Sequence, residues 1–216
     1  MKTSTLSPYR WTILIIVCAI CFMANFMQYQ VSAWGVTVMD MMQTDVAGLT
    51  NLMLMPMLTA VFLSIPSGSL ADKFGVKRVV SVALVVSVAG GFLRCFTLGS
   101  VPAQTVAMFL IGFGIAALNA NLAKILGTWF KEQTSLAMGF FYAASCVAIV
   151  IAQVFSTLMG TLFASYLIAA FLMAAAAVAW IVFARNVPAG ELKQTASLLQ
   201  QTLGEFSLPA RVVGWQ

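Results

Sequence analysis

The chain has 216 residues, of which 62% are hydrophobic and only 8% are charged. Soluble domains carry about a quarter charged residues, so this composition excludes a water-covered globular protein and indicates an integral membrane protein. The net charge of +5 comes from basic residues scattered between apolar runs, which excludes the continuous basic face of a nucleic-acid-binding protein.

The first apolar run extends from residue 11 to about residue 38 and predicts a membrane-spanning helix. It is too long for the core of a cleaved signal peptide, so we interpret it as a retained span. Trp11 and Trp34 are separated by roughly 34 Å of helix, which places their indoles near opposite membrane surfaces. A short acidic loop follows at 40–45.

Three further spans are predicted from the apolar runs at about 46–67, 79–98 and 103–126. The second span contains Pro56 and Pro66. Proline within a lipid-embedded helix produces a kink and frees a carbonyl group, which a neighbouring helix can satisfy.

The next apolar sequence, 136–183, is long enough to cross the membrane twice. Gly160 and Thr161 interrupt it, so we place a turn within 159–164 and predict six spans in total. The tail from residue 186 predicts an amphipathic helix. Its apolar residues recur at three- and four-residue steps: Leu192, Ala196, Leu199, Leu203 and Phe206.

The distribution of charge predicts an orientation. Basic residues occur in the leader, between the second and third spans, and at 127–135, whereas the opposite loops contain Asp40 and Asp45 and no lysine or arginine. The positive-inside rule therefore places both termini in the cytoplasm of a multi-pass cell-membrane protein, which in a bacterium means the inner membrane. The predicted domains are a cytoplasmic N-terminus at 1–10, a six-span bundle at 11–185 and a cytoplasmic tail at 186–216.

The sequence contains no recognisable catalytic set. It has no histidine, and no Asp or Glu lies within the predicted spans, which excludes histidine-dependent triads and an intramembrane carboxylate relay. A Walker-type phosphate-binding loop is also absent. We therefore predict a protein that is not an enzyme and needs no metal or cofactor. The four cysteines lie within apolar runs and are interpreted as small buried side chains.

Polar side chains within the spans are the candidates for function, because lipid makes them costly unless they face protein or water. The i, i+3, i+7 spacing of Asn25, Gln28 and Ser32 predicts one polar stripe on the first span. These side chains either line a solute cavity or form hydrogen bonds between helices, and both interpretations stay open. The cavity candidates are Asn25, Gln28, Tyr29 and Ser32 on the first span, and Asn119, Asn121 and Lys124 on the fourth.

Two further groups have a structural interpretation. Tyr142, Ser145, Gln153 and Ser156 share a face of the fifth span and are predicted to form interhelical hydrogen bonds. Arg94 lies about 22 Å from the start of the third span, close enough to the outer surface for its side chain to snorkel into the headgroups.

The densest run of charge lies between the second and third spans and reads Gly-x-Leu-Ala-Asp-Lys-x-Gly-x-Lys-Arg-x-Val at 68–80. This pattern resembles the cytoplasmic loop signature of the major facilitator superfamily, a family of secondary transporters. Its glycines permit a tight reversal, its basic residues stay in the headgroup region, and Asp72 can cap or complement a helix N-terminus. The residues that carry the resemblance are Gly68, Leu70, Asp72, Lys73, Gly75, Lys77 and Arg78.

Other family motifs are matched less completely. The stretches 127–130 and 137–139 resemble the approach to the fifth helix in organic-anion carriers of the superfamily. Met108 replaces the arginine of the family's fourth-helix motif, and the fifth-helix antiporter motif is missing, which argues against drug–proton antiport.

The resemblance implies an all-α membrane protein that corresponds to the N-terminal six-helix half of such a transporter, with a C-terminal amphipathic helix that begins the linker between halves. It implies a secondary active transporter that moves a small solute, with an organic anion favoured, by alternating access. The expected partners are the lipid bilayer, the solute, and a missing C-terminal half or a second six-helix chain. In the family, the Asp of the signature belongs to a charge network that steadies the outward-facing state. The alternative is a six-helix membrane scaffold or a fragment that does not transport.

Overall fold

The computed structural model describes residues 9–130 and 133–184, and these ranges contain seven α-helices. Six of the helices are long and apolar enough to cross a membrane, which confirms the predicted spans. The predicted N-terminal leader, the charged pair at 131–132 and the amphipathic tail lie outside the described residues. The helices are α1 (Tyr9–Ala33), α2 (Gly35–Met42), α3 (Val46–Phe74), α4 (Val76–Phe96), α5 (Val101–Phe130), α6 (Thr134–Leu158) and α7 (Leu162–Phe183).

The first predicted span is divided into two helices. α1 ends at Ala33 and α2 begins at Gly35, so the prediction of one continuous helix to residue 38 is wrong. Trp34 lies at the break, where its indole Nε1 donates a hydrogen bond of 3.2 Å to the Ser156 carbonyl of α6. This bond fixes the point at which the first span is interrupted.

The charged segment between the second and third spans is almost wholly helical. α3 continues to Phe74 and α4 begins at Val76, so a single residue, Gly75, separates them. Gly75 has a φ of 87°, a backbone conformation that residues other than glycine rarely adopt. It therefore makes the reversal. The prediction that Gly68 contributes to the reversal is wrong, because Gly68 lies within α3. Lysine and arginine are good helix formers whose long side chains reach the headgroups without a loop.

The turn between α6 and α7 lies where the sequence predicted it. Gly160 adopts a φ of 81° after the last turn of α6, and such a glycine commonly ends a helix. Thr161 then accepts a hydrogen bond of 3.2 Å from the backbone N–H of Ala164 and caps the start of α7. A glycine and a threonine cap thus separate two spans that hydropathy alone runs together.

α5 packs between α3 and α4, and small residues allow the close approach. A methyl group added at Gly112 of α5 would lie 2.5 Å from Thr59 Cβ and 2.9 Å from Pro56 Cα, both on α3. A methyl group added at Gly90 of α4 would lie 2.8 Å from the Ala107 carbonyl oxygen of α5. Close approach of this kind is the usual basis of helix association in membranes, since lipid gives no hydrophobic driving force between helices.

Hydroxyl groups add hydrogen bonds across the same two interfaces. Thr59 Oγ1 donates to the Phe109 carbonyl at 3.2 Å, and Ser87 Oγ donates to the Ile111 carbonyl at 3.0 Å. The bilayer core offers no water to these groups, so they are satisfied within the bundle. Each such bond contributes about 0.6 kcal/mol in membrane proteins, so packing is the larger source of stability.

The spans differ in how much of their surface the bundle covers. α1 is the most buried span and packs against α6 and α7, with further contacts to α3 and α5. α3 and α6 leave most of their surface exposed. On α3 the exposed residues include large apolar side chains, among them Leu54, Leu58, Phe62 and Ile65. This surface of α3 is suited to lipid or to another apolar protein surface.

The packing of α5 gives a testable prediction. Gly112→Ala should lower the stability of the bundle by about 1 to 3 kcal/mol, since the added methyl group must displace α3. The matched control is Gly127→Ala in the same helix, where a methyl group meets no atom within 4 Å. Thermal unfolding of the detergent-solubilised chain, followed by circular dichroism, should give a lower melting temperature for the first variant and an unchanged or higher one for the second. Equal melting temperatures for both variants would contradict the close α3–α5 contact.

Candidate functional site

One face of α1 is left accessible by the neighbouring helices. Its half-buried and exposed side chains recur at three- and four-residue steps, as expected for a single helix face. Polar residues are confined to the part of this face nearest α2. We call the face the α1 strip, and its members are Trp11, Ile15, Cys18, Phe22, Asn25, Tyr29 and Ser32.

Three cavity candidates of the first span lie on the α1 strip. Asn25 Nδ2 donates to the Cys21 carbonyl at 2.8 Å and approaches Ser145 Oγ of α6 at 3.4 Å. Tyr29 and Ser32 are half-buried on the same face. The three side chains therefore form an accessible polar patch beside α6.

Two other candidates are turned toward neighbouring helices. Gln28 is 5% exposed and donates to the Met53 carbonyl of α3 at 3.1 Å. Asn119 and Asn121 are two positions apart, and so lie about 200° apart around α5. Asn121 is fully buried and donates to Ser67 Oγ of α3 at 3.3 Å, whereas Asn119 is exposed. Gln28 and Asn121 thus connect helices, and Asn119 alone of these three is accessible.

α6 has an accessible polar face of its own. Exposed polar and small residues recur along it at intervals that place them on one side of the helix. We call this face the α6 strip, and its members are Ser135, Gly139, Tyr142, Cys146, Gln153 and Thr157. The adjacent exposed side of α6 is apolar and suited to lipid: Leu136, Phe140, Val147, Val154 and Leu158.

The residues predicted to share a face of the fifth span divide into two groups. Ser145 Oγ lies 2.7 Å from Cys21 Sγ of α1, and Ser156 contributes its backbone carbonyl to the bond from the Trp34 indole. The contact of Ser145 confirms its predicted interhelical hydrogen bond. For the Ser156 side chain the prediction is wrong, because its buried Oγ has no hydrogen-bond partner among the described residues and only its backbone carbonyl binds Trp34. For Tyr142 and Gln153 that prediction is wrong, because both side chains are exposed on the α6 strip at the edge of the α1–α6 contact.

One cysteine also departs from its predicted environment. Cys21 and Cys95 are buried, and Cys18 is half-buried. Cys146 is exposed, because it falls on the α6 strip between Tyr142 and Gln153. The helical spacing of these three residues was the signal in the sequence that would have placed the Cys146 thiol on this face.

Lys124 of α5 connects the charged motif to the bundle. Its Nζ lies 2.6 Å from Asp72 Oδ1 and 3.2 Å from the Gly68 carbonyl, both on α3. The side chains of Lys124 and Asp72 are 32% and 69% exposed, so solvent screens the ion pair and its contribution to stability is about 1 kcal/mol or less. The predicted capping role of Asp72 is wrong, because α4 has no side-chain cap and the carboxylate pairs with Lys124 instead.

The remaining motif residues surround the reversal at Gly75. Leu70 and Lys73 are exposed on α3. Lys77 lies in the first turn of α4, where its carbonyl accepts a hydrogen bond of 3.5 Å from Trp180 Nε1 of α7. The motif therefore ties α3 to α5 and α4 to α7 at one end of the bundle.

Arg94 does not snorkel to the membrane surface, so that prediction is wrong. The side chain is fully buried, and its guanidinium donates to the Met27 carbonyl at 2.5 Å and to Gln30 Oε1, both on α1. The Tyr166 ring of α7 lies 3.8 Å from Arg94 Cζ, within the range of a cation–π contact. The position of a residue along a helix does not determine which face of the helix it occupies. Arg94 lies on the face of α4 that packs against the bundle.

The groups that bind the Arg94 guanidinium are all uncharged. Gln30 Nε2 donates to Ser165 Oγ at 2.9 Å, which orients the Gln30 carbonyl oxygen toward the guanidinium. Among the described residues, Arg94 forms no ion pair, and its Nε, Gln104 Nε2 and the Tyr166 hydroxyl are buried without a hydrogen-bond partner. This polar cluster joins α1, α4 and α7 inside the bundle.

Comparison with known proteins agrees with this architecture. A sequence model described as the Major Facilitator Superfamily matches residues 7–214. The 4-hydroxybenzoate transporter PcaK of Pseudomonas aeruginosa is 29% identical to this chain over 164 residues. That match covers 71% of this chain and 35% of the relative, so the chain spans about a third of the length of the curated relative it matches.

The Arg94 cluster gives a second prediction. Arg94→Lys should lower the stability by about 1 to 3 kcal/mol, because an ammonium cannot satisfy the Met27 carbonyl and Gln30 Oε1 with the same fork geometry. The matched control is Arg78→Lys on the same helix, at an exposed position with no hydrogen bond or ion pair among the described residues. The two variants are compared by the fraction of denaturing detergent in mixed micelles at which each is half unfolded. A shift for Arg94→Lys no larger than that for Arg78→Lys would contradict the structural role of the guanidinium.

Proposed function

This chain belongs to the major facilitator superfamily, and we propose that it forms one six-helix part of a secondary transporter that moves a small organic anion by alternating access. Its role is transport rather than chemical conversion. The observation that carries this proposal is the pair of accessible polar strips on α1 and α6.

The two strips are poorly suited to lipid. A polar group that loses its hydrogen bonds in an apolar environment costs several kcal/mol, or about 2 to 7 depending on the reference state. Tyr29 on α1 and Tyr142 and Gln153 on α6 are therefore expected to face water or solute rather than acyl chains. We assign these residues, with Asn25 and Ser32, to the wall of the solute cavity.

The proposed solute class is an aromatic carboxylate. The relative is named for transport of 4-hydroxybenzoate, which carries a carboxylate, a hydroxyl and an aromatic ring. Matching chemistry is present on the strips: Asn25, Tyr29 and Gln153 can donate hydrogen bonds, and Phe22 and Tyr142 offer ring surfaces. Neutral donors suffice to bind the carboxylate.

Lys124 receives a different role in this proposal. The sequence predicted Lys124 as a residue of the cavity wall, but its charge is paired with Asp72. We assign the pair to the charge network of the loop motif, where it joins α3 to α5 in one conformation and is expected to rearrange in the other. Asn119 remains a candidate of the cavity wall, because it is exposed on α5.

The proposed partner is another six-helix unit, either a C-terminal half or a second copy of this chain. Support comes from the exposed apolar surface of α3 and from the coverage of the relative, of which the match spans 35%. We further propose that 186–216 begins the linker to that unit, and that both ends of the bundle's chain face the cytoplasm of an inner membrane. The charge distribution of the sequence supports this orientation.

Uptake by proteoliposomes tests the transport function. Labelled 4-hydroxybenzoate is offered to vesicles that contain the chain alone, or the chain co-expressed with the part of PcaK that the match does not cover. We expect saturable uptake in at least one preparation, with a drop of about tenfold for Tyr29→Leu and for Gln153→Leu, since each removes a hydrogen bond to the solute. The control is Val147→Leu, an exposed position on the apolar side of α6 outside the strip. Absence of uptake from both preparations, with the chain folded, would contradict transport and favour a scaffold.

Two natural thiols test whether the α6 strip faces water. In a Cys18→Ala/Cys21→Ala background, a charged, membrane-impermeant thiosulfonate should modify exposed Cys146 and spare buried Cys95. Lipid would keep a thiol out of reach of a charged reagent, so modification requires an aqueous surface. Mass spectrometry of the labelled chain measures both sites, and 4-hydroxybenzoate should slow labelling of Cys146. An unreactive Cys146 would place the strip against lipid and remove it from the cavity.

A further inference from the structure

The helices α3, α4 and α5 enclose a groove that the transport proposal does not use. α3 and α4 both pack extensively against α5 but make few contacts with each other beyond their junction at Gly75. The wedge between them has a cavity volume of about 420 Å³. It lies in the half of the bundle nearest the charged motif.

The groove is shaped for a flexible apolar chain. Its floor on α5 consists of the small residues Ala116 and Ala117, with Phe113 farther from the motif. The walls are apolar and come from the two helices that meet at Gly75. Ser67 is the polar residue of the wall on α3, and its hydroxyl accepts the hydrogen bond from Asn121. Water has too few partners on such a surface, so an apolar occupant is favoured.

Arg78 is the one charged residue that lines the groove, and it contributes the apolar stem of its side chain, because the accessible surface of the lining is wholly apolar. Arg78 lies in the first turn of α4, three positions after Gly75, and therefore near the level at which the helices leave the membrane. The side chain is exposed and forms no hydrogen bond or ion pair among the described residues. Its guanidinium has the planar fork that binds phosphate with two hydrogen bonds.

We propose that this groove binds one anionic phospholipid, with an acyl chain between α3 and α4 and the phosphate group at Arg78. The combination of an apolar channel and a cation at one end matches the two parts of such a lipid. This site is independent of the proposed solute cavity, because the groove is lined by α3, α4 and α5 whereas the strips lie on α1 and α6.

A protein helix fits the groove less well than a lipid. A helix from a second copy that covered the mouth would take the guanidinium of Arg78 out of water, and a buried charge without a partner is strongly unfavourable. A phosphate group supplies that partner and remains in the headgroup region. The charge at the mouth therefore selects a lipid over an apolar protein segment.

Lipid binding to the purified chain tests the headgroup contact. Native mass spectrometry of the detergent-solubilised chain is performed with equal amounts of phosphatidylglycerol and phosphatidylcholine of the same acyl length. We expect a preference for phosphatidylglycerol, and we expect Arg78→Gln to reduce that preference about fivefold, as expected for one basic residue at a membrane surface. The matched control is Lys77→Gln, which removes the same charge one position away but outside the groove lining. Equal loss in both variants, or no preference in the parent chain, would overturn the assignment of Arg78.

A second pair of variants tests the acyl-chain site. Val82→Trp fills the groove from an exposed position on α4, whereas Val85→Trp places the same side chain at an exposed position of α4 outside the lining. We expect the retained lipid to fall for the first variant and to be unchanged for the second. Circular dichroism and size-exclusion chromatography confirm that both variants are folded. Undiminished lipid retention by folded Val82→Trp would overturn the proposed site.

Discussion

The arrangement of the bundle depends on a positive charge that is buried inside it and bound by neutral groups. Arg94 binds the Met27 carbonyl and the Gln30 side chain of α1 and lies against the Tyr166 ring of α7. A guanidinium holds its donors in a rigid fork, so these contacts restrict how α1 can rotate relative to α4 and α7. The rotation of α1 decides which of its residues form the α1 strip. A buried charge on one side of α1 therefore determines the surface that α1 presents on the other.

Close packing on α5 accounts for both the cohesion of α3, α4 and α5 and the groove between them. Gly112 receives α3 and Gly114 receives Ser87 of α4, so each neighbour approaches α5 closely. Gly75 alone separates α3 from α4 in the chain, and both helices pack on α5 with an apolar groove between them close to this junction. Soluble proteins fill such gaps with side chains, but a membrane supplies acyl chains that fill them equally well.

Hydropathy predicted the six spans because a segment with charged or polar side chains is costly to place in lipid. This cost strongly constrains where along the chain each span can lie. Helix ends were less predictable. α3 and α4 extend through the charged motif, since Lys73 and Lys77 carry their charge to the headgroups while the backbone stays helical. The direction in which side chains point from each helix was the feature that the sequence predicted least well. The opposite placement of Asn119 and Asn121 follows from their spacing alone, whereas the inward direction of Arg94 depends on how α4 packs, which periodicity in an almost wholly apolar span cannot reveal.

Arg94 and the neutral strips together bear on the proposed preference for an anion. Lys124 is paired with Asp72, and the α1 and α6 strips contain no charged residue, so no free cation among the described strip residues contacts a solute directly. Met27, whose carbonyl binds Arg94, lies on the side of α1 opposite to Tyr29 of the α1 strip, because the two residues are two positions apart. An uncompensated charge in a medium of low dielectric constant acts over a longer distance than it would in water. If the strips bind the proposed anion, the field of Arg94 favours that anion across the width of α1 without a direct contact.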